Sequence, residues 1–303
     1  MKENIVYVIT GPTASGKSAL AIEMANRLDT DVINADSRQI YRGMPIVTAV
    51  PTDDEREGVR HHLREVLDLD EYYSASMFEQ QALEIAGKLL EEKGCAVVCG
   101  GSMMYVDTFC HGIDDLPTVP KQLRKDLERE WQDRGDDWLR GMLKSLDPAY
   151  WERVDLRNMK RVFHAVEISL TAGRAYSELL NKERRERDFR IVKIFLSGDR
   201  GRLFERINSR VDRMVEMGLE EEARRLYPLK GLNSLNTVGI KEMFAMFEGE
   251  LPRETAFERI KKNTRVYAKK QITWFKRDEN MLFLDFEAPR WRNVERALES
   301  VSS

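Results

Sequence analysis

The octet Gly11, Pro12, Thr13, Ala14, Ser15, Gly16, Lys17, Ser18 fits G-x-x-x-x-G-K-[ST], the spacing of a phosphate-gripping P-loop. Its glycines let the backbone curl until several N–H groups face one anion. Lys17 adds a point charge for phosphate oxygens, and the Ser18 hydroxyl is a ligand for Mg²⁺. The expected occupant is a di- or triphosphate, with Ser18 as the metal contact. The octet does not say whether phosphate is transferred or merely held.

A second group of chemistry-bearing residues is Asp36, Ser37, Arg38, Gln39 and Tyr41. Asp36 could serve as a general base or a Mg²⁺ ligand; a turn or N-cap aspartate is the structural alternative. Gly100 and Gly101 lead into a third candidate, the hydroxyl of Ser102. Farther on, Arg206, Arg210 and Arg213 lie on one helical stretch, with Arg210 a candidate lid over the phosphates. Arg161 and His164, three apart, share a helix face that would suit a phosphate or a base, although a solvated face has the same pattern.

These groups need elements to carry them. Ile5 to Thr10 is a β-branched, apolar run, and the residues after the octet have helical periodicity, so the loop joins a buried strand to a helix. Val32 to Asn34 and Cys95 to Cys99 are further strands, each ending just before a polar cluster. In a parallel sheet both clusters would sit at the carboxyl edge, beside the phosphate loop. A helix is expected from Ser76 to Lys93, with Ser74 or Ser76 as cap. The stretch from Pro45 to Leu63 has loop character, and its adjacent His61 and His62 point different ways, so they suit structural hydrogen bonds better than one shared metal.

From 116 to 188 the texture is helical, with turns at Pro117, Pro120, Gly135, Pro148 and Gly173. Phe189 to Arg200 returns to strand. A long helix rich in Lys and Arg with interleaved Tyr267, Trp274 and Phe275 follows, then a final strand at MLFLDF. Its aromatics would either stack on nucleic acid or pack inward. The expected fold is α/β: a P-loop NTPase-like parallel sheet core flanked by helices, formed by 1–115 and 189–303, with an all-helical insertion at 116–188.

Composition narrows the class. The 303 residues are 42% hydrophobic and 33% charged, which suits a globular protein, and no apolar run approaches a membrane span. No signal-peptide start is visible; Cys95, Cys99 and Cys110 are odd in number and lack zinc spacing, and Cys95 and Cys99 read as small core residues in a reducing compartment, so cytoplasm and no membrane are expected. Net charge is −3, yet residues 1–120 hold 10 Lys+Arg against 20 Asp+Glu and the remainder 39 against 32. A basic second half suits an extended polyanion, as do ordinary solvated helix faces.

GPTASGKS, DSRQIYRGM, HHL, GGSMMY, TVGIKE and NTRVYAKKQITWF occur in the order found in tRNA dimethylallyltransferases, and in that combination the chain resembles the bacterial members of this family. The resemblance implies transfer of a dimethylallyl group from dimethylallyl diphosphate to N6 of the adenosine 3′ to the anticodon, in tRNAs reading codons that begin with U. It implies that the P-loop grips the leaving diphosphate with Mg²⁺ and that ATP is not hydrolysed. By motif, Asp36 matches the general base and Ser102 takes the place of the usual threonine. Asp36, Ser37, Arg38 and Gln39 match a tRNA-contact segment, as do Arg124 and the run Lys160, Arg161, Val162, Phe163, His164. In that run Lys160 and His164 replace Gln and Arg. Elsewhere Val50, Met104 and Ile240 stand where Lys, Leu and Tyr are usual. A monomer suffices. From the residues alone, the rivals are a P-loop kinase of small molecules, a free-nucleotide prenyltransferase, and a nucleotide-switched RNA-binding module without catalysis.

Overall fold

The computed structural model describes residues 4–114, 116–180 and 185–302. Six parallel strands form one sheet: β1 (Ile5–Thr10), β2 (Val32–Asn34), β3 (His61–His62), β4 (Cys95–Cys99), β5 (Arg190–Ser197) and β6 (Met281–Asp285). Their spatial order is β3-β2-β4-β1-β5-β6. The α/β class with a parallel core is therefore what the sequence pattern implied. Alternate residues of β1 enter opposite layers: Val6 and Val8 pack in one apolar cluster, Tyr7 and Ile9 in the other. Both faces are covered, which is why these strands read as continuous apolar runs.

Two compact units emerge, Met1–His111 with Glu186–Ser303, and Gly112–Arg185. These limits lie at 111 and 185, where the sequence pattern put 115 and 188. In the first unit, Ala75–Lys93 is a helix whose N-cap, Ser74, accepts from the Met77 N–H. His61 and His62, expected in a loop, instead form the two-residue edge strand β3 beside β2. His62 Nε2 lies 2.8 Å from Asp31 Oδ2 and His61 Nδ1 3.1 Å from the Val59 carbonyl, both structural roles. A further helix, Arg290–Ser302, follows β6 and was not legible as one; Val294 and Ala297 pack it against the sheet. The three cysteines are free, with Cys99 and Cys110 buried. Among the described residues no helix is long and apolar enough to cross a membrane.

The second unit is helical among its described residues, with its own core of Leu139, Leu143, Val162, Val166 and neighbours. Its breaks fall where Pro and Gly were noted: Gly135 interrupts Lys121–Leu146 with φ 81°, Pro148 opens a short helix, and Gly173 caps Met159–Ala172 with φ 66°. Val162 and Phe163, grouped by resemblance with the tRNA contacts, are buried at 0% and 9% exposure, so their side chains pack this core instead. Lys160 and Arg161 on the same helix are exposed.

Arg124 and His164 both turn to a single buried acid. Arg124 donates to Glu167 through Nε at 2.8 Å and Nη2 at 2.6 Å, and His164 Nδ1 lies 2.9 Å from the same carboxylate. Burial alone would raise the Glu167 pKa. The hydrogen bonds from His164 and Arg124, with the Arg124 charge, outweigh it and hold the carboxyl below its ordinary value. A depressed folded-state pKa contributes stability that is present above the unfolded value and lost as pH falls through the folded one. Glu167→Gln should therefore cost this unit about 1–3 kcal/mol at neutral pH. The gap to wild type should narrow as the pH of the melts is lowered from the ordinary glutamate range through the depressed folded-state value, where the wild-type side chain becomes neutral as well; a gap unchanged across that range would refute the assignment.

Candidate active site

The carboxyl ends of β1, β2 and β4 are lashed together. The Gly100 N–H donates to the Ile9 carbonyl at 3.1 Å and the Ala35 N–H to the Cys99 carbonyl at 2.8 Å. A Cβ at residue 100 would stand 2.0 Å from the Ala35 oxygen, so only glycine lets these exits meet. All three polar clusters read from the sequence leave the sheet here.

After β1 the loop turns through Gly16, which has φ 90° and caps the helix Lys17–Leu28 without any side-chain cap. The first-turn N–H groups of that helix thus have no side chain serving them and suit an anion. Ser15 Oγ is buried with no hydrogen-bond partner, a further polar atom held inside the loop. Gly11 and Pro12 are buried beneath it. Thr13, Lys17 and Ser18 line a cavity of about 410 Å³. Ala14 and Gly16, with Lys17 and Ser18 again, line a second of about 740 Å³. Arg210 and Met214 also border both.

Burial lowers the Lys17 pKa and Asp36 opposes that shift; burial likewise lowers that of Arg210, with Asp36 again countering. Two poorly hydrated cations in the wall of the smaller cavity, where Asp36 is the one lining carboxylate, favour an entering polyanion. Ser18 lines both cavities, a position from which its hydroxyl could serve Mg²⁺, and no cluster of three His, Cys, Asp or Glu among the described residues competes for a cation. Phosphate oxygens and water would supply the other ligands, the usual habit of this ion.

Asp36 lines the smaller cavity with Ser37, Arg38 and Gln39. Its Oδ1 accepts from the Arg38 N–H at 2.9 Å and, more weakly, the Gln39 N–H at 3.4 Å. That turn fixes the carboxylate without engaging Oδ2. The Arg38 guanidinium donates to the carbonyls of Asn233, Ser234 and Asn236, pinning a second stretch of cavity wall. Gln39 donates to the carbonyls of Thr48 and Ala49. Ser102, the third candidate, is buried at 7% exposure. It does not line the cavity, and its Oγ accepts from the Ser37 N–H at 2.8 Å and donates to Ser37 Oγ at 3.0 Å. The hydroxyl therefore acts on Ser37, beside Asp36.

The sequence reading passed over one wall. Helix Arg253–Phe275 presents Ile260, Thr264, Tyr267 and Gln271 to the cavity, at intervals of four, three and four. The spacing is present in the sequence, where interleaved aromatics mask it. Phe275 is core and the Trp274 indole N–H donates to Asp107, so the aromatics mostly pack inward.

The IPP transferase family model matches residues 39–278. The chain is 46% identical to tRNA dimethylallyltransferase 2 of Parabacteroides distasonis, over 91% of this chain and 92% of the relative. It is 43% identical to tRNA dimethylallyltransferase 1 of Bacteroides fragilis, over 100% and 98%. The chain belongs to the tRNA dimethylallyltransferase family. Among solved structures, it is similar to a full-length tRNA isopentenylpyrophosphate transferase of Bacillus halodurans, with TM-score 0.73, 31% identity and coverage of 99% and 96%. It is also similar to a eukaryotic dimethylallyltransferase described as acting on tRNA, with TM-score 0.84, 26% identity and coverage of 99% and 80%. The phosphate loop precedes the matched segment of the family model but falls within the full-length match to the B. fragilis relative.

Removing one of the two partly buried cations should weaken the anion site. Titration of inorganic diphosphate with Mg²⁺ into Arg210→Ala should give an affinity lower by about tenfold, or roughly 1.4 kcal/mol. An unchanged affinity would remove Arg210 from the cradle.

Proposed function

We propose that this transferase moves the dimethylallyl group of dimethylallyl diphosphate to N6 of the adenosine 3′ to the anticodon, in tRNAs reading codons that begin with U, and releases diphosphate. The supporting observation is a single cavity that holds Lys17, Ser18 and Arg210 together with Asp36. An anion cradle and one carboxylate are what displacement of a diphosphate by a weak amine needs.

The allylic C–O bond breaks as the C–N bond forms. Lys17, the loop N–H groups and Arg210 take up the charge growing on the departing oxygens. Ser18 would hold Mg²⁺, which would supply further neutralising charge for that leaving group. The adenine amine is a poor nucleophile, because its lone pair is delocalised into the ring. Asp36 accepts the proton it sheds, a contribution of about 10²–10⁴-fold. Phosphate is held and not transferred, so ATP turnover has no part in the cycle. The target base leaves its stack to enter the cavity. The helical unit, with Lys160 and Arg161 exposed, offers cations for the anticodon stem-loop. A monomer is sufficient for all of these steps.

Labelled dimethylallyl diphosphate, Mg²⁺ and unmodified tRNA provide the test. Label should enter tRNA at the single adenosine 3′ to the anticodon, mapped by mass spectrometry, with added ATP untouched. Asp36→Asn should cut turnover by at least about tenfold while leaving tRNA affinity nearly intact. ATP consumption without labelled tRNA would overturn the transfer, and full turnover in Asp36→Asn would remove Asp36 as base.

A further inference from the structure

Gln271 is 2% exposed, and both ends of its amide are engaged. Oε1 accepts from the Thr13 N–H at 2.9 Å, and Nε2 donates to the Gly101 carbonyl at 2.8 Å. The orientation is dictated by the partners, since an N–H can only donate and a carbonyl only accept. Those partners stand in different loops: Thr13 in the phosphate loop after β1, Gly101 in the glycine turn after β4. A Cβ at residue 101 would lie 2.4 Å from Nε2, so the absence of a side chain there is what admits the amide. Tyr267, one turn earlier on the same helix, brings its hydroxyl to 3.5 Å from the same carbonyl.

The connection continues toward the carboxylate. Ser102, next to Gly101, takes the Ser37 N–H on its Oγ, and Ser37 adjoins Asp36. An unbroken path of short bonds thus runs from the phosphate loop through Gln271, the Gly101–Ser102 peptide and Ser37 to Asp36.

We propose that Gln271 is a positioning residue for the transfer, fixing the separation between the anion cradle and Asp36. The inference rests on the transfer reading above. The reacting carbon must lie between leaving oxygen and attacking nitrogen at about 3–3.5 Å, and a misplacement of about 1 Å can cost 10²-fold. The Gly100–Ile9 bond joins the strand exits, and the loops beyond it, at Thr13 and Gly101, need a tie of their own. Gln271 supplies one from a third element, and fixes the Thr13 peptide plane as it does so.

Gln271→Ala should bind inorganic diphosphate with Mg²⁺ about fivefold more weakly and turn over about tenfold more slowly, with tRNA affinity within about twofold of wild type. Gln271→Glu keeps the acceptor for Thr13 and loses the donor for Gly101 whenever it is ionised. Its turnover relative to wild type should therefore rise as the pH is lowered from about 8 to 5: burial beside a carbonyl favours the protonated form that can donate, while the Lys17 ammonium beside Gly101 opposes it and moves the rise to lower pH. A space-filling role would give a ratio independent of pH, and that result would overturn the proposal. So would Gln271→Ala within about twofold of wild type in both turnover and diphosphate affinity. If wild type moves no label to tRNA, the transfer reading fails separately. The diphosphate titration of Gln271→Ala then decides alone, with unchanged affinity against the role and a fivefold loss for it.

Discussion

The closeness of the exits of β2 and β4 governs the rest of this structure. A Cβ at residue 100 would sit 2.0 Å from the Ala35 carbonyl, so the two chains can pass only where one is glycine. Because β1, β4 and β2 are parallel neighbours, that contact gathers the phosphate loop, the glycine turn and the Asp36 segment at one edge. Everything chemical in the core unit follows: a cationic end built on Lys17 and Arg210, a carboxylate held by its own turn, and a wall from helix Arg253–Phe275 that ties two of the loops together.

The same edge explains why a motif associated with phosphate transfer can serve another end. Backbone N–H groups, a desolvated lysine and a hydroxyl recognise a phosphate chain without specifying which bond breaks. What decides the chemistry is the partner across the cavity. Here Asp36 sits in a tight turn and shares the cavity wall with Ser37, which Ser102 steadies. The family to which the chain belongs gives that arrangement its natural interpretation as alkyl transfer to tRNA.

Much of this was legible in the residues, and the reasons are physical. Buried parallel strands are continuous apolar runs, so β1, β4 and β5 announced themselves, and G-x-x-x-x-G-K-[ST] has few uses outside a strand-loop-helix. Edge elements were harder. β3 is two histidines long and gains its strand character only from pairing with β2. Partnerships between distant side chains were not visible at all. Nothing local says that Gln271 bridges Thr13 and Gly101, or that Arg124 and His164 meet on Glu167. The run from Lys160 to His164 shows the limit of motif transfer, since a contiguous segment on a helix must turn Val162 and Phe163 inward wherever its neighbours face out.

The central claim is that the cradle holds a leaving group and the carbon–oxygen bond is the one that breaks. Dimethylallyl diphosphate carrying ¹⁸O at the bridge between carbon and phosphorus tests this directly. After turnover with tRNA, the label should be found wholly in the released inorganic diphosphate. Label in dimethylallyl alcohol, accompanied by unlabelled diphosphate or by a diphosphorylated acceptor, would mean cleavage at phosphorus and would contradict the account.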